Sequence, residues 1–108
     1  MVTLRCQVVR WVSDEPQPGW VEARFTDAHG RRWTFFDKPP IFENEAELTP
    51  EASYPQEAGL ACVVTGTQIW TDGREILSIS TRTPWSIESE EGQTEFHVSR
   101  DQLIDPLG

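Results

Sequence analysis

Residues 20–37 read WVEARFTDAHGRRWTFFD, and this stretch decides the fold. Two alternating runs, Trp20–Thr26 and Arg31–Asp37, flank Asp27-Ala28-His29-Gly30, and such alternation predicts strands. A type I turn with Gly30 in the left-handed region pairs Asp27 with Arg31. Phe25 then faces Trp33 and Ala23 faces Phe35, with Val21 completing an apolar row. A two-residue turn would set Arg24 against Trp33 and mix the faces. A slip of one residue moves every side chain to the other face, so the bulged register is the expected one. Its outer face carries Trp20, Glu22, Arg24 and Thr26 against Arg32, Thr34, Phe36 and Lys38.

Strand signals continue on both sides. Thr3–Val12 alternates, and the loop Ser13–Gly19 carries Asp14, Glu15, Pro16 and Pro18. Residues 38–58 form the longest connection, with prolines at 39, 40, 50 and 55 and glutamates at 43, 45, 47, 51 and 57. Thr49-Pro50-Glu51 reads as the start of a single helical turn. Leu60–Trp70 and Arg74–Thr81 form a second hairpin, where Asp72-Gly73 predicts a type I′ turn that sets Ile69 opposite Ile76. Gly66 interrupts that strand and predicts a bulge. Thr94–Val98 is the last strand, with a free edge for pairing across a dimer. Ser99-Arg100-Asp101-Gln102 fits a capping box, so a short helix is expected through Leu103 and Ile104.

No stretch of helical periodicity reaches ten residues, and no repeat is visible. The expected fold is all-β. It is a single domain, residues 1–108, forming a small five- to six-stranded antiparallel barrel, OB-like or similar. A long insertion follows its third strand, and a short helix ends it.

Composition narrows the function classes. Hydrophobic residues make up 37% of the chain, enough for a core, and include five Trp and five Phe. Nine bases stand against eighteen acids, a net charge of −9 that opposes general adsorption to nucleic acid or anionic membranes. The charge is uneven: residues 1–38 sum to +1 and residues 39–108 to −10. The longest apolar run, Leu60–Val64, is far short of a membrane span, and the first residues lack a signal-peptide pattern. A cytoplasmic location is the expectation. Cys6 and Cys62 read as reduced core thiols, with a disulfide between neighbouring strands as the alternative.

Catalytic signals are sparse. His29 sits on a hairpin tip and reads as a polar turn residue. His97 alternates with Phe96 and Val98, which points it outward. Asp27 and His29 are close enough in sequence to share a metal, but no third ligand follows from spacing. Glu22, between aromatic residues, is the one candidate for an acid with a raised pKa. No serine elbow and no glycine-rich phosphate loop occur. No metal or cofactor is expected and a non-enzymatic role is favoured, with a small-ligand-binding protein or an enzyme of unknown chemistry as the second alternative.

Two binding readings remain. In the first, the acidic connections meet a basic protein, with Glu43, Glu45 and Glu47 supplying charge and Trp85 an aromatic anchor. In the second, Trp20, Arg24, Arg32, Phe36 and Lys38 form an OB-like groove that stacks bases and neutralises phosphates. Against it stands self-packing, with Arg24 or Arg32 paired to Glu43, Glu45 or Glu47. Trp85 has its own bland reading, a plug closing one end of the barrel.

Overall fold

The computed structural model describes residues 2–44 and 47–104; Glu45, one of the expected binding residues, lies outside them. Eight strands follow in chain order: β1 (Val2–Ser13), β2 (Trp20–Thr26), β3 (Arg32–Asp37), β4 (Phe42–Glu43), β5 (Gln56–Ile69), β6 (Glu75–Ser80), β7 (Glu95–Ser99) and β8 (Leu103–Ile104). All pairings are antiparallel. The main order is β3-β2-β1-β5-β6-β7, with β4 added to β5 and β8 to β1, and the sheet curls into a half-barrel.

The first hairpin has the register that the apolar row predicts. Phe25 pairs with Trp33 and Ala23 with Phe35. Asp27 and Arg31 close its turn, with Asp27 N–H donating to the Arg31 carbonyl at 2.8 Å. Gly30 sits at φ +83°. The second hairpin departs from expectation. Gly73 has φ +88°, but Asp72 does not adopt positive φ, so the turn is not type I′. Trp70 N–H donates to the Arg74 carbonyl at 2.9 Å, and Gly73 N–H to the Trp70 carbonyl at 2.8 Å. This is the first hairpin's turn again, one residue longer than expected. It sets Ile69 opposite Glu75 and Gln68 opposite Ile76. The shift in register between Val64 and Gly66 is the bulge that Gly66 predicts.

The expected C-terminal helix does not form. Ser99 N–H does donate to Gln102 Oε1 at 3.0 Å, as a capping box requires. The turn stops after Arg100–Gln102, however, because Leu103 and Ile104 extend and pair with Leu4 and Thr3. A free stretch of β1 offers backbone partners that a three-residue helix cannot match. Nor does Thr49-Pro50-Glu51 start a helix; it is a turn in which Ala52 N–H donates to the Thr49 carbonyl at 3.2 Å.

The core lies inside the curl. Leu4, Cys6 and Val8 of β1 meet Val21, Ala23 and Phe25 of β2 and Phe35 of β3, all buried. Phe96 of β7 closes the space edge-on, with its ring centroid 5.2 Å from Phe25 and 5.0 Å from Trp33. The 81–94 connection ties the two ends of the sheet. Glu90 N–H donates to the Thr34 carbonyl at 2.7 Å, and Ala28 N–H to the His97 carbonyl at 2.8 Å. The β7 edge proposed for dimer pairing is therefore engaged by the first turn. Phe42 and Leu48 anchor the long connection in the core. Cys6 and Cys62 are free and buried. Burial, with Glu57 second, pushes the Cys6 thiol up to about 12; burial likewise raises Cys62, to about 11. Both stay protonated and are poor nucleophiles.

Candidate functional site

Three surfaces bring chemically useful groups together. The first is the outer face of β1–β3. Alternation places Glu22 outward from β2, yet it is only 3% exposed because two arginines cover it. Arg10 Nε lies 2.6 Å from one carboxylate oxygen, and Arg24 lies 2.5 Å from the other. Burial pushes the Glu22 carboxyl up, but hydrogen bonds and charge from Arg10 and Arg24 outweigh it and hold the pKa below the ordinary value. Glu22 is thus a fixed carboxylate, and the expectation of a raised-pKa acid is overturned. Arg24 finds its partner on its own strand, not among Glu43 and Glu47. Arg32 and Lys38 are exposed, Phe36 is 37% exposed, and Trp20 is half-buried. Arg5, which the sequence reading passed over, joins Arg24 and Arg32 around a cleft of about 530 Å³.

The second surface is acidic. β5 carries β1 on one edge, while β4 and β6 share the other. Phe42 pairs with Leu60, and Ser80 pairs with Val63, three residues further along β5 and so roughly 10 Å away. Both strands run the same way along β5, so the loop leaves β6 beside Val63, while the segment with Glu43 and Glu47 runs on past Gly59 and away from it. Both glutamates are exposed. Glu43 accepts a hydrogen bond from Thr3 Oγ1 at 3.2 Å, across Gly59. That crossing needs glycine, since a Cβ there would stand 2.2 Å from Thr3 Cγ2.

The loop after β6 presents Trp85, which is 57% exposed and plugs nothing. Its neck is tied twice between Thr81 and Ile87. Ile87 N–H donates to the Thr81 carbonyl at 3.0 Å, and Thr81 Oγ1 donates to the Ile87 carbonyl at 2.6 Å. Ser86 N–H donates to the Arg82 carbonyl at 2.8 Å. Ser86 itself has φ +55°, a left-handed conformation that costs a non-glycine residue roughly 1 kcal/mol. The chain thus holds a large apolar ring in water at the expense of local strain. Glu88, Glu90, Glu91 and Glu95 follow, all exposed, and Glu91 pairs with Arg31.

The third surface was legible only in part. His29 Nε2 lies 2.9 Å from His97 Nδ1, and the His29 ring sits 4.8 Å from that of Trp70. The imidazole centroids are 5.2 Å apart, so the two nitrogens lie near the line between the rings, which suits a shared N–H···N hydrogen bond. Both histidines carry more than the turn and outward roles that alternation assigns them. The two turns and β7 converge here, a long-range meeting that local pattern does not encode. The Asp27 carboxylate accepts from His29 N–H, Arg31 N–H and Trp33 Nε1, which makes it the brace of the turn. No group of three metal-ligating side chains occurs among the described residues, and no helix there is long and apolar enough to cross a membrane.

Compared with protein-family models, curated proteins and solved structures, the chain matches none.

Proposed function

We propose that this chain is a non-enzymatic binding module that docks a basic protein surface through Trp85 and the acidic connection beside it. The observation that carries this reading is Trp85 itself, exposed on a loop pinned at its neck and strained at Ser86. A rigid aromatic ring loses little entropy on burial and is the commonest kind of interface anchor. The surrounding carboxylates supply complementarity and speed encounter with a cationic partner. Glu43 and Glu47, beyond β4, add exposed negative charge elsewhere on the surface. The fold supports an OB-like reading: five long strands in the order β3-β2-β1-β5-β6, with the long connection after the third.

Parallel capture from source-cell lysate with the native chain and with Trp85→Ala tests the proposal. A protein retained by the native chain at low salt, indifferent to nuclease and released at high salt, is expected. Trp85→Ala should weaken its binding by about 30-fold or more, the scale of an anchor residue. Identical eluates from both proteins would overturn the assignment of Trp85. A Trp85-dependent partner whose retention is indifferent to salt would overturn the acidic surface as the docking face.

A further inference from the structure

Carboxylates outnumber bases two to one in this chain, so a guanidinium without a carboxylate partner needs an explanation. Arg10, Arg24, Arg31, Arg74 and Arg100 each hold one. Arg5, Arg32 and Arg82 hold none among the described residues, and the first two line the same cleft on the outer face of β1–β3. Those two stand on the strands either side of β2, whose Arg24 forms part of the wall and is fixed by Glu22. Two carboxylates also line the cleft, and among the described residues neither forms an ion pair with a guanidinium. Glu57 accepts from Gln7 Nε2 at 2.9 Å, and Asp101 accepts from the Ser99 hydroxyl. With the Arg10–Glu22–Arg24 group counted whole, four guanidiniums (Arg5, Arg10, Arg24 and Arg32) face three carboxylates (Glu22, Glu57 and Asp101), a small cationic excess on a molecule of net charge −9.

Four residues beyond Arg32 on β3, and on the same face, stands Phe36 with 37% of its surface in water. That spacing is about 13 Å along the strand. An anion clamp followed by an exposed ring suits a chain that alternates phosphates with flat bases. We propose that this face binds a short single-stranded nucleic acid, with Arg5 and Arg32 clamping a phosphodiester and Phe36 stacking a base. The site is separate from the Trp85 surface, and neither depends on the other.

Fluorescence anisotropy of a labelled oligothymidylate at several salt concentrations tests it. One clamped phosphate predicts a log–log salt slope of about −0.7 for a single strand. Arg5→Ala and Arg32→Ala should each cost about tenfold in affinity at low salt, and together they should flatten the slope. Phe36→Ala should weaken binding with the slope unchanged. Both arginines are exposed, so melting of the double variant is expected to match the native chain and serves as the folding control. The proposal is overturned by no binding at low salt, or by equal binding of the double variant. It is also overturned if polyglutamate competes as well as unlabelled oligothymidylate. The same follows if inorganic phosphate binds the cleft while the oligonucleotide does not.

Discussion

The two hairpins, β2–β3 and β5–β6, share one turn and have opposite fates. Asp27–Arg31 and Trp70–Arg74 close with the same pair of backbone hydrogen bonds and the same left-handed glycine. The first hairpin lays Phe25, Trp33 and Phe35 into the core. The second buries Leu77 and Ile79 near its base, but its tip runs past the core, leaving Thr67 and Gln68 in water and Ile69 67% exposed. Turn geometry is set by a few neighbouring residues, whereas the value of an apolar side chain is set by what covers it. Identical local chemistry therefore says nothing about which hairpin supports the fold.

Substitutions can break or sharpen that contrast. The largest effect is expected from Phe35→Ala, which empties a fully buried site and should cost about 3–5 kcal/mol in denaturant unfolding, while Ile69→Ala should stay within about 0.5 kcal/mol. Equal losses would mean that the second hairpin is packed as tightly as the first. Next is Asp27→Ala. Its carboxylate satisfies two backbone N–H groups and the Trp33 indole, so about 2–4 kcal/mol is expected. Asp72→Ala, at the second turn, removes only exposed contacts to Arg74 and should cost clearly less.

Gly30→Val and Gly73→Val should behave alike. Each site is open, with nothing within 4 Å of an added Cβ, so the penalty is backbone strain alone, about 1–3 kcal/mol in either hairpin. A neutral Gly73→Val would show that the second turn readjusts and the first does not. The smallest effect is a pH dependence. Glu22 has a folded pKa below its unfolded value, so its contribution is full above the unfolded pKa, near 4.3, and fades as pH falls through the folded pKa. Stability of the native chain should therefore fall more steeply below about pH 4 than that of Glu22→Gln. Parallel curves in acid melts would mean that Arg10 and Arg24, both substantially exposed, hold Glu22 too weakly to matter.

Much of the candidate chemistry was visible as residue type and little as partnership. Alternation assigned Arg24, Arg32 and Phe36 to one outer face, where the structure has them. It missed Arg5, because only the pairing of β1 with β2 brings that residue to the same cleft. It named Glu22 but misjudged its state: the aromatic neighbours are local, while Arg10 arrives from another strand. Trp85 was a candidate for two opposite roles, and exposure alone separates them.

The sequence by itself determined the six longer strands, the first hairpin's register and the bulge at Gly66, since these rest on period-two alternation and on glycine's access to positive φ. Tertiary structure decided the rest. Leu103 and Ile104 became a strand because β1 had an unpaired stretch beside them. His29 met His97 and Trp70 because the sheet curled. Phe42 and Glu43 became a strand because β5 offered them an edge at Leu60 and Gly59. Each of these depends on contacts between residues far apart in the chain, whose energies no local window contains.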